Sequence, residues 1–216
     1  MYDIILFMNN HTTDEQKIAE QLRRFREKKE TLKPRQAAVL LPLVYRDGVP
    51  CILFEVRAKD LVIQPGEVCF PGGGVEGDET PLEAAVRETM EELLVKEQQI
   101  RIIGLMDVFT GPRGQEVSAY VGVLEDYDGR FSTDEVDSII ITPLSWFEEH
   151  PAVFYKTVRT VVPGEDFPFG LVPGGRNYHW GKEKHLVPFY PGTDPVLWGM
   201  TARLTDLFMK ILKGEL

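Results

Sequence analysis

The sequence predicts an α/β/α sandwich, one mixed β-sheet with helices on both faces. Apolar runs of strand length alternate with segments whose apolar residues recur at helical spacing. The 216 residues, 43% of them hydrophobic, suffice for one sizeable core, so a single domain over 1–216 is expected. No internal repeat, low-complexity tract or linker breaks the pattern.

The opening MYDIILFMNN has a short apolar run, no basic flank and an early Asp3, so a signal peptide is not expected. No apolar run approaches membrane-span length. A helix over about 13–30 carries Ile18, Leu22 and Phe25 as one stripe among charges. It is expected to pack on the domain's edge, with a homodimer contact or a lid over the site as the other readings. Pro34 ends it. Residues 37–45 and 50–56 read as buried strands, joined by a hairpin turn at Arg46, Asp47 and Gly48.

The next helix is the centre of the chain. Thr80, Pro81 and Glu83 form a helix start, with a capping threonine, a proline at the first position and the glutamate of a capping box. On a wheel of roughly 100° per residue, Glu88, Glu91 and Glu92 share one sector and Leu82, Val86, Met90 and Leu93 gather opposite. Like charges four apart cost a helix a few tenths of a kcal/mol, and a merely solvated face would intersperse lysine or arginine. Ala84 shares the acidic sector and Ala85 borders it, leaving room for something to approach. Clustered carboxylates suit Mg²⁺ or Mn²⁺, which bind hard oxygens and substrate phosphates. Glycines 72, 73 and 74 let the backbone turn tightly beside them.

Residues 100–108 and 118–124 read as strands around a loop at 110–115, where Arg113 could touch a substrate or sit in an ordinary connection. Residues 139–146 read as a strand entering a short helix, and 152–162 as another strand. The segment 163–191 is rich in Gly, Pro and aromatics and reads as irregular. Phe167, Phe169, Tyr178, Trp180 and Tyr190 read mostly as a satellite cluster, with stacking on an adenine as the other reading. His179 and His185 lack metal-ligand spacing. Asp194 and Pro195 are expected to start a last helix over about 195–212, striped by Leu197, Met200, Leu204, Phe208 and Ile211.

A net charge of −10 argues against a nucleic-acid backbone as partner. Cys51 and Cys69, the only cysteines, are expected to be reduced, in a cytoplasmic protein.

Gly73, Glu79 and the run Arg87-Glu88-Thr89-Met90-Glu91-Glu92 resemble, in order and spacing, the signature of the Nudix hydrolases. Thr89 replaces a usual aliphatic residue and Leu94 a usual glycine, which bears on the helix end rather than on the chemistry. The resemblance implies the Nudix α/β/α sandwich, a hydrolase of nucleoside diphosphates linked to another group, and Mg²⁺ or Mn²⁺ on Glu88, Glu91 and Glu92. The Gly73 carbonyl would join the metal shell. Arg87 is counted with the catalytic set as the residue that orients Glu79 or Glu83. Glu135, before the strand ending in Pro143-Leu144, would be an extra metal ligand or the base that activates water, or else a solvated loop acid. Glu92 shares the general-base role with Glu135 as an open choice.

Arg57, Gly66 and the run Phe70-Pro71-Gly72-Gly73 further resemble the upstream motif of the branch that hydrolyses coenzyme A and its derivatives. The run Trp198-Gly199-Met200-Thr201-Ala202 resembles that branch's C-terminal helix. Val62 and Gln64 depart from it, standing where a basic residue and a histidine are frequent. Arg57 is read as a phosphate contact, because a guanidinium fork suits phosphate oxygens, with a surface salt bridge to Asp60 or Glu55 as the alternative. The expected substrate is coenzyme A or an acyl-coenzyme A, cut to 3′,5′-ADP and a phosphopantetheine. ADP-ribose or another nucleoside diphosphate is the alternative, and a non-catalytic nucleotide-sensing module the third reading.

Overall fold

In the central strand, β1 (Gln36–Arg46), successive side chains serve opposite layers, which is why its apolar run is nearly unbroken. Ala38, Leu40 and Val44 face one layer, while Leu41 and Leu43 face the other. The computed structural model describes residues 13–31, 35–111 and 114–215. The opening segment, Pro34 and Arg113 lie outside the described residues.

β1 turns into β2 (Val49–Arg57) through Asp47 and Gly48, both at positive φ (52° and 79°), the conformation a tight hairpin with matching strand twist demands. Then follow β3 (Val68–Cys69), β4 (Gly72–Gly74), β5 (Ile100–Thr110), β6 (Glu116–Leu124) and β7 (Val136–Pro143). The main sheet runs β3-β2-β1-β6-β5, with β4 on β1 and β7 on β2. β1 and β6 pair in parallel and the other pairs are antiparallel, so the sheet is mixed. Along one edge β1 changes partner: Ala37–Val39 pair with β4, and Leu43–Arg46 with β2. At the switch the Leu40 N–H donates to the Pro71 carbonyl at 2.9 Å. The sheet therefore opens there and admits the glycine strand.

Helix α1 (Thr13–Thr31) precedes the sheet, and α2 (Pro81–Leu93) lies across one face. Leu93 packs with Leu40, Val44 and Leu53, and Ala84 and Ala85 pack on Ala38. On the other face α3 (Leu144–Glu149) and α4 (Gly199–Lys213) bring Phe147, Leu204 and Phe208 against Leu41, Phe54 and Val121. Rings fill this layer: Phe54 stacks on Phe70 at 5.1 Å, and Phe147 meets Tyr190 edge-on at 5.1 Å. The α/β/α sandwich is what the sequence predicts.

Three expectations are corrected. The last part of 163–191 is not irregular: β9 (Lys182–Tyr190) pairs antiparallel with β8 (Val153–Thr160) and β10 (Leu197–Trp198) in a separate three-stranded sheet. Its exposed half, Lys182 to His185, and its Pro188 hide the strand from a reading by periodicity. The last helix begins at Gly199, not at about 195. Leu197 pairs with Tyr190, and its N–H donates to Thr193 Oγ1 at 2.7 Å, so the backbone is claimed by sheet and turn before a helix can start. Finally, Ile18, Leu22 and Phe25 of α1 are exposed rather than packed on the domain's edge. Both faces of the main sheet are already covered by α2 and by α3 with α4. Elsewhere, Phe167, Phe169, Tyr178 and Trp180 form the satellite cluster, whereas Tyr190 belongs to the main core.

Candidate active site

Helix α2 is fixed at its start by local chemistry. Thr80 Oγ1 accepts from the Glu83 N–H at 3.3 Å, and the Glu83 carboxylate accepts from the Thr80 N–H at 2.7 Å, closing the capping box. Its packing differs from the wheel reading. Ala84, Ala85 and Thr89 are buried, and Leu82 and Val86 are only half-buried. The alanines therefore let the helix close onto β1 rather than leave room for a ligand. Thr89 is satisfied in its buried place by donating to the Ala85 carbonyl at 2.7 Å.

This docking turns Glu88 and Glu92 toward the glycine strand. The Gly72 N–H donates to Glu92 Oε2 at 2.9 Å. A Cβ on Gly73 would overlap the Glu88 carboxylate, and one on Gly72 the Ala38 carbonyl, so glycine is required for the close approach. The Ser132 N–H donates to the Glu92 carbonyl at 2.7 Å and the Ala58 N–H to the Glu135 carbonyl at 2.9 Å, tying the turn before β7 to α2 and β2. Glu135 thus joins the pair. One carboxylate oxygen from each of Glu88, Glu92 and Glu135 lies within 4.8 Å of the others.

Glu91 does not join that trio in this arrangement. It is exposed, and it pairs with Arg87 at 3.3 Å. Arg87 is the hub on this side: it donates twice to Glu79, at 2.9 and 3.1 Å, and also to Glu88 and the Gly74 carbonyl. Its partner is Glu79, while Glu83 serves the cap. Arg57 lies in the wall of the adjoining cleft, where its Nε donates to the Ile63 carbonyl at 3.1 Å. It forms no ion pair with Asp60 or Glu55 among the described residues. Val62 is 99% exposed, and Gln64 donates to Glu67. His185 sits 3.3 Å from Glu183.

The cleft, about 610 Å³, runs from Gly72–Gly74 past Arg57 and Phe70 to Trp198, Met200 and Thr201. Thr201 Oγ1 donates to the Val68 carbonyl at 3.0 Å, so the C-terminal run and the upstream motif meet in its wall.

Sequence reasoning missed Glu55, which it weighed only as an ion-pair partner. This glutamate is 1% exposed, its Oε1 has no hydrogen-bond partner, and Cys69 Sγ lies 4.0 Å from its Oε2. Burial, then the charge of Glu92, pushes its carboxyl well above the usual range. A signal was available: Cys51, Leu53 and Glu55 alternate along β2, so the acid had to enter the layer beneath α2. Burial also raises Glu88 and Glu92; Arg87 opposes the shift at Glu88, and the Gly72 N–H opposes it at Glu92. Desolvated acids that outnumber the one arginine paired with them suit a hard divalent ion, and the all-carboxylate donor set fits Mg²⁺ or Mn²⁺.

The family model for the NUDIX domain matches residues 34–160, more than half of the chain. The chain is 34% identical over 134 residues to the peroxisomal coenzyme A diphosphatase NUDT7 of Mus musculus, covering 60% of this chain and 55% of that one. It is 37% identical over 127 residues to an uncharacterized Nudix hydrolase, NudL, of Enterobacter sp. (strain 638), covering 58% and 66%. The matches thus span little more than half to about two thirds of these relatives. A MutT/nudix family protein from Enterococcus faecalis superposes over 95% of this chain and 76% of that one, with TM-score 0.49 and 14% identity. No helix among the described residues is long and apolar enough to cross a membrane.

Proposed function

This chain belongs to the Nudix family, and from that premise we propose that it hydrolyses the diphosphate linkage of coenzyme A or an acyl-coenzyme A to 3′,5′-ADP and a phosphopantetheine. The convergence of Glu88, Glu92 and Glu135 beside the glycine strand, which also lines the cleft that holds Arg57, carries the hydrolytic reading. The coenzyme A reading is supported by the likeness to a coenzyme A diphosphatase and by the Thr201–Val68 contact that joins its two motif segments.

Glu88 and Glu92 would hold Mg²⁺ or Mn²⁺, with Glu91 and the Gly73 carbonyl as the further ligands the family pattern implies, and Glu135 stands beside them. When bound, such an ion neutralises diphosphate charge and acidifies water. The chain's own residues do the rest. Arg87 steadies Glu79, Glu88 and Glu91. Arg57 offers its guanidinium to a phosphate oxygen from the cleft wall. Glu135 takes the proton from water: no hydrogen bond holds its carboxylate among the described residues, whereas Glu92 already accepts the Gly72 N–H. The unpaired cysteines fit a reducing compartment such as the cytoplasm.

A second reading, hydrolysis of ADP-ribose or a similar nucleotide, is favoured by the exposed Val62 where a basic residue is frequent in coenzyme A hydrolases. Product analysis with Mg²⁺ or Mn²⁺ on coenzyme A, acetyl-coenzyme A, ADP-ribose and NADH decides between them. Release of 3′,5′-ADP from the coenzyme A compounds is expected. AMP from ADP-ribose, with coenzyme A untouched, would replace the substrate, and no turnover of any would return the sensing-module reading.

A further inference from the structure

We infer that the outer face of the three-stranded sheet is a track for the acyl arm of the substrate, entered at Trp198. This rests on the coenzyme A reading above. Residues paired across antiparallel strands share a face. Trp198 pairs with Phe189 and Phe189 with Val153, so the three form one row across β10, β9 and β8. The row spans about 10 Å, two strand spacings. Phe189 stacks on Trp198 at 5.6 Å, and Tyr155 meets Phe189 edge-on at 5.3 Å. Trp198, Val153 and Tyr155 remain 42%, 43% and 52% exposed, so an apolar strip lies open.

Its placement names the occupant. Trp198 also lines the cleft that holds Arg57 and the glycine strand, so the strip continues from the Trp198 end of that cleft and leaves the cleft itself to the phosphopantetheine arm. On the sheet's other face Leu197 and Tyr190 belong to the core, and Lys210 lies over the Phe154 ring. A nucleobase needs one broad plane, and the edge-on Tyr155 breaks the plane beyond Trp198. A flexible hydrocarbon chain can follow the break. Past Tyr155 and Val187 the same face turns polar at the pairs Thr157–His185 and Arg159–Glu183, which bounds the strip.

The test is kcat/KM for free, acetyl-, butanoyl-, octanoyl- and dodecanoyl-coenzyme A, with the wild type and the variants Tyr155→Ser, Val153→Ser, Trp198→Ala and Trp198→Phe. In the wild type, KM should fall by about twofold per added methylene, partial burial giving less than full transfer, and level off once the chain outruns the row. Tyr155→Ser and Val153→Ser should cut the octanoyl-to-free ratio at least threefold within each variant, and Trp198→Phe should keep it. Equal kcat/KM at every chain length would overturn the track and leave the coenzyme A reading standing. A Trp198→Ala loss equal for all coenzyme A compounds, with the ratio intact, would make Trp198 a base platform and also overturn it. So would a shift from dimer to monomer in Tyr155→Ser by sedimentation, because the face would then belong to a second copy. Turnover of ADP-ribose with no coenzyme A compound cleaved would instead remove the coenzyme A reading, and the track with it.

Discussion

Glu55 and Glu92 hold two acids in one layer, and the cost of that appears as a dependence on pH. Because burial raises the Glu55 pKa above its unfolded value, the unfolded chain ionises first as pH climbs. Stability of the metal-free protein should therefore fall as pH rises above the ordinary carboxylate value of about 4.5, until Glu55 itself ionises. Melting in chelator at pH 5.5 and 8 should show the higher Tm at the lower pH, and Glu55→Gln, a neutral isostere, should flatten the difference. An equal slope in the variant would remove Glu55 as the cause. At the same scale, Glu92→Gln and Glu135→Gln should each lower kcat by about 10²-fold or more with the fold kept, read by steady-state kinetics beside circular dichroism. Unchanged turnover in both would sink the acidic centre.

At the scale of elements, α2 ends in a conformation its residue dislikes. Leu94 closes the helix in the left-handed region, at φ 51° and ψ 36°, where the family pattern has glycine. The side chain is largely exposed, so little packing offsets the strain. Leu94→Gly should stabilise the protein by about 1 kcal/mol in urea unfolding with m unchanged, and a loss of stability would show that the leucine's contacts outweigh the strain. The start of α2 was legible in the sequence because caps are local: Thr80, Pro81 and Glu83 act within one turn. The start of α4 was not, because Thr193 and the pairing of Leu197 with Tyr190 decide it, and neither is visible from helical periodicity.

For the whole molecule, the carboxylates were legible by residue type and spacing, since Glu88 and Glu92 must share a helix face. Their meeting with Glu135 was legible only through family resemblance, as it depends on a turn held by Ser132 and Ala58. That Glu55 enters the layer beneath α2 was legible from its alternation with Cys51 and Leu53, whereas its full depth depends on β7 and α2, both distant in sequence. The opening of the sheet beside β1 sets the molecule's response to metal. Adding Mg²⁺ at pH 8 should raise Tm by several degrees in the wild type and much less in Glu92→Gln, measured by calorimetry, because a cation bound only by the folded state shifts the balance by mass action. An equal rise in both would place the ion elsewhere.

The thiol of Cys51 sits on β2 in the layer beneath α2 and that of Cys69 on β3 beside Glu55, and burial raises the pKa of both. As they stand they are poor nucleophiles, and an alkylating reagent reaches the buried Cys51 only when the strands part. The labelling rate of Cys51 followed by mass spectrometry therefore acts as an internal clock for the breathing of the layer between α2 and the sheet. That clock should slow when Mg²⁺ is added and quicken in Glu92→Gln, reporting the seal between helix and sheet from a native residue.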